Sequence, residues 1–362
     1  MKSFFLLIPI LYLCGNGYLY WKVLQALTGS PLWMKIIISS LFWIVAFSLF
    51  ITIGLRATNA PTELLRLLFN TGAVWLAFLL YMILLLALFG IAKLFINIPG
   101  NTLLYSFVAT CCLLILGYIN YKNPEIKHLD LTIEKTFKKE SIKIVSMSDI
   151  HLGYGTGISA LKDYVALINS QQPDIILISG DLIDNSIKPV EKEPFDRILS
   201  ELKAPMGIYM CPGNHEYISN IEACEKFLKR TPIHLLRDTV ITLPEGINII
   251  GRDDKSNRTR KTLAELMAKT NPELPVILLD HQPYNLNEAD SLNVDLQLSG
   301  HTHHGQLFPF NVLTDYLYEQ SHGYKKYRHT HVWVSSGLSL WGPPFRIGTK
   351  SDLAVIEIHS AK

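Results

Sequence analysis

Charge is scarce in the first third of this 362-residue chain. Of its 33 Lys/Arg and 31 Asp/Glu, only seven lie before residue 122: Lys2, Lys22, Lys35, Arg56, Glu63, Arg66 and Lys93. Ionisable side chains inside apolar segments mark transport pathways, and the apolar segments here carry almost none. That favours anchoring, or shaping a lipid-accessible entrance, over transport. Cysteine is scarce too. Of five, Cys14, Cys111 and Cys112 lie in apolar segments, leaving Cys211 and Cys224, which excludes a disulfide framework and fits a reducing compartment. The net charge is +2, and no basic stripe with interleaved aromatics is present. Nucleic-acid binding is therefore not indicated.

What the first third does hold is long apolar runs. Four stretches, about 4–26, 35–55, 71–92 and 102–120, approach the roughly 20 residues a helix needs to cross a bilayer. Turn-forming pieces separate them: TGSPLW, RATNAPTE and NIPGN. The first could also serve as a signal sequence, but no small-residue cleavage site follows it. We therefore expect a multi-pass membrane domain over 1–121 and a soluble domain over 122–362. An even number of spans puts both ends on one side. That side would carry Lys2, Arg56, Arg66, Lys122 and Lys127, against Lys22, Lys35 and Lys93 opposite. The bias favours a cytoplasmic soluble domain.

From about residue 125 short apolar runs alternate with helical patterns. IKIVSMSDIH (142–151), PDIILISGDLI (173–183), APMGIYMCPGNHE (204–216), PVILLDHQP (275–283) and VDLQLSGHTHHG (294–305) read as buried strands running into polar loops. Helical patterns cover 159–170, 191–202, 219–230 and 260–269. Such alternation predicts an α/β domain with largely parallel pairing.

At the end of each strand stand residues of metal-ligand type. Asp149 and His151 come first, and an i, i+2 spacing puts both on one face of an extended chain. Asp181 follows, then Asn214 and His215, then His281, then His301 and His303. Singly, each has an ordinary explanation: an Asx turn at Asp181, a helix cap at Asn214, a hydrogen-bonded loop histidine at 281. Together, they form a site at the carboxyl ends of strands, where α/β folds collect their ligands.

The series SDIH…GD…GNHE…H…GHTH resembles the calcineurin-like metallophosphoesterase family over about 125–358. The tail VWVSSGLSLWGPPFRIG and DLAVIEI resembles the closing strands of its membrane-associated bacterial branch. The resemblance implies a four-layer α-β-β-α sandwich with a two-metal centre on one edge, here preceded by the four transmembrane helices expected from the apolar runs. It implies one metal on Asp149, His151, Asp181 and His303. The other would lie on Asp181, Asn214, His281 and His301, so that Asp181 is shared. His215 would not bind metal but would assist the leaving group. The chemistry agrees: paired cations clamp an in-line displacement at phosphorus and lower the pKa of a bridging water to a reactive hydroxide. Imidazole with carboxylate suits Mn, Fe, Zn or Co. Asp184 and Glu216 are either ligand-orienting carboxylates or ordinary loop and helix-start residues.

The expected activity is hydrolysis of a membrane-associated phosphodiester or pyrophosphate, lipid-linked or nucleotide. Alternatives are a UDP-2,3-diacylglucosamine pyrophosphatase, a less selective phosphoesterase, or a non-catalytic membrane sensor on the same fold. Relatives usually carry Gly where His304 stands, so His304 either lines the rim or touches substrate phosphate. The aromatic and basic residues Phe308, Phe310, Tyr316, Tyr318, Trp333, Trp341 and Arg346 could hold an amphiphile or pack the sandwich edge. Lys325, Lys326 and Arg328 are the better candidates for phosphate or bilayer contact.

Overall fold

The computed structural model describes residues 2–56 and 58–360, with side chains from residue 9 onward. It divides into two compact units. One is Met1–Ile119 with Gly342–Phe345; the other is Asn120–Trp341 with Arg346–Lys362.

The first unit is built from α1 (Lys2–Ala26), α2 (Leu32–Leu55), α3 (Thr62–Ala92) and α4 (Thr102–Lys122), which runs just past the division. Pro31 and Pro61 stand immediately before α2 and α3, where a fixed φ helps to start a helix. Among the described residues three helices, α2, α3 and α4, are long and apolar enough to cross a membrane. Three such helices are thus found among the described residues where four were expected, and the first expected span, 4–26, begins with side chains outside those residues. The stretch expected at 4–26 does form α1, but Asn16, Lys22 and Gln25 interrupt its apolar run. Asn16 is fully buried. It accepts a hydrogen bond from Trp75 Nε1 at 2.9 Å and donates to the Tyr12 carbonyl at 2.9 Å. At Gly72 an added Cβ would overlap Leu49, so α2 and α3 touch backbone to backbone, as small residues permit. Much of the outer surface of α2 and α4 is apolar and exposed, including Ile36, Ile44, Leu104 and Leu116.

The second unit is a sandwich of two sheets. The first sheet has the order β1-β12-β2-β3-β4-β5, from β1 (Glu125–Ile133), β2 (Ser141–Met147), β3 (Ile175–Ser179), β4 (Ile208–Cys211), β5 (Ile233–Leu235) and β12 (Asp352–Ser360). The second has the order β10-β11-β9-β8-β7-β6. Its strands are β6 (Thr239–Leu243), β7 (Ile247–Gly251), β8 (Val276–Leu279), β9 (Leu296–Ser299), β10 (Gly323–Lys326) and β11 (His331–Val334). Pairing is parallel from β2 through β5 and from β7 through β9 to β11. Both faces of these strands are covered, so β3, β8 and β9 are buried at every position. They read accordingly as unbroken apolar runs.

Between the sheets Ile142, Ile144, Ile175 and Leu177 meet Ile249, Ile277, Leu279 and Leu298. Over the outer face of the first sheet lie α5 (Ile158–Ser170), α6 (Lys188–Lys192), α7 (Phe195–Leu199) and α9 (Ile221–Leu228), while the short α8 (Asn214–Ile218) follows β4 and precedes α9. The α5 stripe Leu161, Tyr164, Val165 and Ile168 is buried, with the spacing of one helix face. On the second sheet, Leu263 and Leu266 of α10 (Leu263–Met267) and Ala289 of α11 (Leu286–Ser291) cover Val276 and Leu278. The helix expected at 191–202 is split, because Pro194 ends α6 and opens α7. The short α12 (Phe310–Leu317) buries none of its residues. The α-β-β-α layering expected from the sequence is present.

Candidate metal centre

Each candidate ligand lies just beyond the carboxyl end of a buried parallel strand: Asp149 and His151 after β2, Asp181 after β3, Asn214 and His215 after β4. His281 follows β8, and His301 and His303 follow β9. The extended-chain reasoning for the two i, i+2 pairs does not hold. Asp149, His151, His301 and His303 all have positive φ, at 56°, 50°, 73° and 48°, and so does Asp181 at 54°. Left-handed turns, not a strand's alternation, aim these side chains. Asp and His tolerate that region better than bulky residues, yet each such residue costs about 1 kcal/mol or more. Strain of this kind concentrates where a site demands it.

The side chains converge. His151 Nε2 lies 3.0 Å from His303 Nε2, and Asp149 Oδ1 lies 3.8 Å from the former and 3.5 Å from the latter. On the other side His281 Nε2 is 3.2 Å from Asn214 Oδ1, and His301 Nδ1 is 2.9 Å from the same oxygen. Between the two groups stands Asp181. Its Oδ2 is 3.8 Å from His151 Nε2 and 3.2 Å from His281 Nε2. Close approach is built into the backbone. A Cβ at Gly213 would overlap the Asp181 carboxylate, and one at Gly300 would overlap that of Asp149.

Both outer carboxylates are in place. Glu216 accepts backbone N–H bonds from Asp181 at 3.0 Å, Ile183 at 2.9 Å and Gly213 at 2.7 Å, tying the β3 loop to α8. Asp184 Oδ1 is 3.1 Å from His215 Nδ1 and 3.4 Å from His151 Nδ1. His281 donates from Nδ1 to the Ser179 carbonyl if it is the Nδ1–H tautomer, at 2.7 Å. That leaves Nε2 with its lone pair towards Asp181 and Asn214.

Electrostatically the pocket seeks cations. Burial opposes ionisation of Asp149, but His303 and His151 outweigh it and hold the carboxyl below its usual range. Asp181 behaves likewise through His281. Asp184 falls to about 2, where burial is outweighed by His151 and His215. Burial lowers His303 to about 3, and burial with the charge of His281 lowers His301 to about 4. His151 goes the other way: burial is overcome by Asp149 and Asp184, which lift it to about 10.

These residues fit a pair of divalent cations. Two imidazole nitrogens 3.0 Å apart can share only one proton comfortably, whereas two lone pairs converging on a cation are well matched. Nδ1 of His151 and of His303 is buried with no aligned hydrogen-bond partner. Asp149, His151 and His303 form one compact donor group, and Asp181, His281 and His301 another. The donor set is imidazole with carboxylate and amide oxygen, which suits transition dications.

Two participants escaped the sequence reading. Arg346, expected to hold an amphiphile or to pack the sandwich edge, is completely buried. Its Nη1 donates to the His303 carbonyl at 2.6 Å, and Nη2 donates to the carbonyls of Ser336, Gly337 and Ser339 at 2.5, 3.1 and 2.9 Å. Asp254, buried just beyond β7 with Oδ2 unpartnered, lends negative charge to His281 and His301. The GRDD run at 251–254 follows an apolar strand, so the strand-end rule would have found it. Of the aromatic candidates, Trp333 is buried, while Trp341, Phe308, Phe310 and Tyr316 are exposed.

The Calcineurin-like phosphoesterase family description matches residues 142–305. A Helicobacter pylori protein described as a metallophosphoesterase is 35% identical over 258 residues, 68% of this chain and 68% of that one. A Danio rerio "Transmembrane protein with metallophosphoesterase domain" is 27% identical over 395 residues, covering 99% of this chain and 90% of its own. Among solved structures, a 5'-nucleotidase precursor from Thermus thermophilus aligns over 56% of this chain and 49% of that chain, with a TM-score of 0.38 and 18% identity. The protein is thus a metal-dependent phosphoester hydrolase. It belongs to the calcineurin-like metallophosphoesterase family, and its apolar helices associate it with a membrane. The descriptions of these relatives do not favour the UDP-2,3-diacylglucosamine pyrophosphatase reading.

Proposed function

We propose that the protein is a membrane-anchored, two-cation hydrolase of a lipid-linked or nucleotide phosphodiester or pyrophosphate. The observation that carries the reading is Asp181, whose Oδ2 lies between the two donor groups. Asp149, His151, Asp181 and His303 would hold one cation, and Asp181, Asn214, His281 and His301 the other. The pair supplies Lewis acidity at the phosphoryl oxygens and an acidified water as nucleophile. Asp181, as a shared carboxylate, offsets the repulsion between two dications. His215, held beside Asp184, stands ready to hand a proton to the departing oxygen. Glu216 keeps the Asp181 backbone in its left-handed turn by accepting the N–H at that residue.

Residues 1–121 would form the multi-pass anchor and 122–362 the hydrolase. The loop between α2 and α3 and the chain after α4 would lie on one side whatever α1 does. When α1 spans as well, that side holds Lys2, Arg56, Arg66, Lys122 and Lys127, against Lys22, Lys35 and Lys93, which favours a cytoplasmic hydrolase. A lipid-linked substrate is supported by the exposed apolar residues Phe310, Val312, Leu313, Tyr316 and Leu317 of α12, which directly follows the His303–Gly305 turn.

The test uses the full chain in detergent, loaded with Mn²⁺ and assayed on bis-p-nitrophenyl phosphate. His215→Ala should keep its metal and lose about 10²–10⁴-fold in turnover, and Asp181→Ala should lose metal and turnover together. Folded, metal-loaded protein that cleaves no phosphoester in a broad panel would refute the proposal.

A further inference from the structure

A second donor group lies outside the centre just described. The ring of His304 lies face to face with that of His322, with centroids 3.5 Å apart and planes 14° from parallel. His304 Nε2 is 3.5 Å from Asp315 Oδ1. One donor atom from each of the three residues falls within 4.8 Å of both others. They come from three separate pieces of chain: the turn after β9, helix α12 and the loop before β10. Ser321 Oγ donates to Asp315 Oδ1, fixing the carboxylate as partners of metal ligands do.

Stability does not explain this convergence. Asp315 and His322 are exposed, and an exposed ion pair contributes only about 0–1 kcal/mol. The backbone, moreover, places His304 in the left-handed region, at φ 48° and ψ 39°, where glycine would rest without strain. A strained histidine set against a second imidazole and a carboxylate is a donor set in search of a cation.

We propose that His304, Asp315 and His322 form a third divalent-cation site of the zinc class. Two imidazoles and one carboxylate are the ligand types that zinc takes, and three protein ligands leave a coordination position open. Because Asp315 and His322 are exposed, their side chains can rotate to close the remaining distance. His304 directly follows His303, so a cation here sits at the rim of the hydrolytic centre. Its open position suits an anionic oxygen of the substrate other than the one being displaced. The site goes beyond the two-cation reading and stands independently of it.

The experiment is a metal count on the full chain in detergent. The protein is stripped, equilibrated at buffered free Zn²⁺, and analysed by inductively coupled plasma mass spectrometry. Co²⁺ loading, followed by its visible absorption, is the second readout. The wild-type chain should bind one equivalent more than the double variant Asp315→Asn/His322→Gln, and one more than His304→Gly. The same difference should persist in an Asp181→Asn background, where the principal pair is weakened, so failure of that pair is read separately. Equal Zn²⁺ equivalents and identical Co²⁺ spectra in wild type and both variants would overturn the proposal. Circular dichroism of the stripped proteins confirms that the variants, two of whose sites are exposed, are folded.

Discussion

Replacing Arg346 by Met keeps an unbranched side chain and removes every donor. The guanidinium is fully buried and donates to four carbonyls, those of His303, Ser336, Gly337 and Ser339, and from Nε to Ser351 Oγ at 3.2 Å. A buried acceptor left unsatisfied costs about 1–3 kcal/mol. Four would exceed the plausible total, but Met also relieves the chain of desolvating a charge, a cost of several kcal/mol. The net expectation is about 2–4 kcal/mol of destabilisation. For a unit of this size that corresponds to roughly 4–16 °C in Tm. Turnover should fall as well, because the His303 backbone loses its anchor beside a proposed metal ligand. Arg346→Lys separates geometry from charge. A lysine ammonium cannot reproduce the planar fork that spans His303 and the 336–339 turn, so it should recover only part of the loss. The assay is intrinsic-fluorescence melting of the detergent-solubilised chain, paired with kcat on a phosphodiester. A Met variant melting within about 2 °C of wild type, or a Lys variant equal to Arg in both Tm and kcat, would refute the reasoning.

Other perturbations follow from the same geometry. Gly213→Ala puts a methyl group onto the Asp181 carboxylate, so metal content and activity should fall together, with metal analysis and turnover as the check; retention of both would show that the loop relaxes freely. Asp184→Asn removes the charge 3.1 Å from His215 Nδ1, and kcat should drop about 10–100-fold with less change in KM, as steady-state kinetics would record. Within the membrane unit, Asn16→Leu strands the Trp75 indole N–H and should destabilise the helix packing by about 0.6–1.7 kcal/mol, read as a lower Tm in detergent.

The candidate centre was legible because each proposed ligand follows an apolar strand, and sequence order alone could pair the apolar runs with the polar residues after them. The turn geometry was not legible. Whether Asp149 and His151 leave a strand extended or in left-handed turns depends on what the loop must meet across the sheet, here Gly180 and Asp181. The role of Arg346 was not legible for a similar reason. Its partners are backbone carbonyls up to 43 residues away in the chain, and carbonyls leave no mark in a sequence. Alternation of strand and helix patterns pointed to an α/β domain with parallel pairing and the family resemblance to its layers, whereas edge strands β1, β6 and β10 carry exposed positions and left too weak an apolar signal. In the first unit the apolar pattern of α1 did not show that Asn16 is buried and accepts a hydrogen bond from Trp75 of α3.

Anomalous diffraction from crystals of the Mn²⁺-loaded protein tests the central claim most directly. The account predicts two manganese peaks about 3.5–4 Å apart, with the Asp181 carboxylate between them, His151 and His303 on one and His281 and His301 on the other. A single peak, or peaks that leave Asp181 unbound, would contradict it.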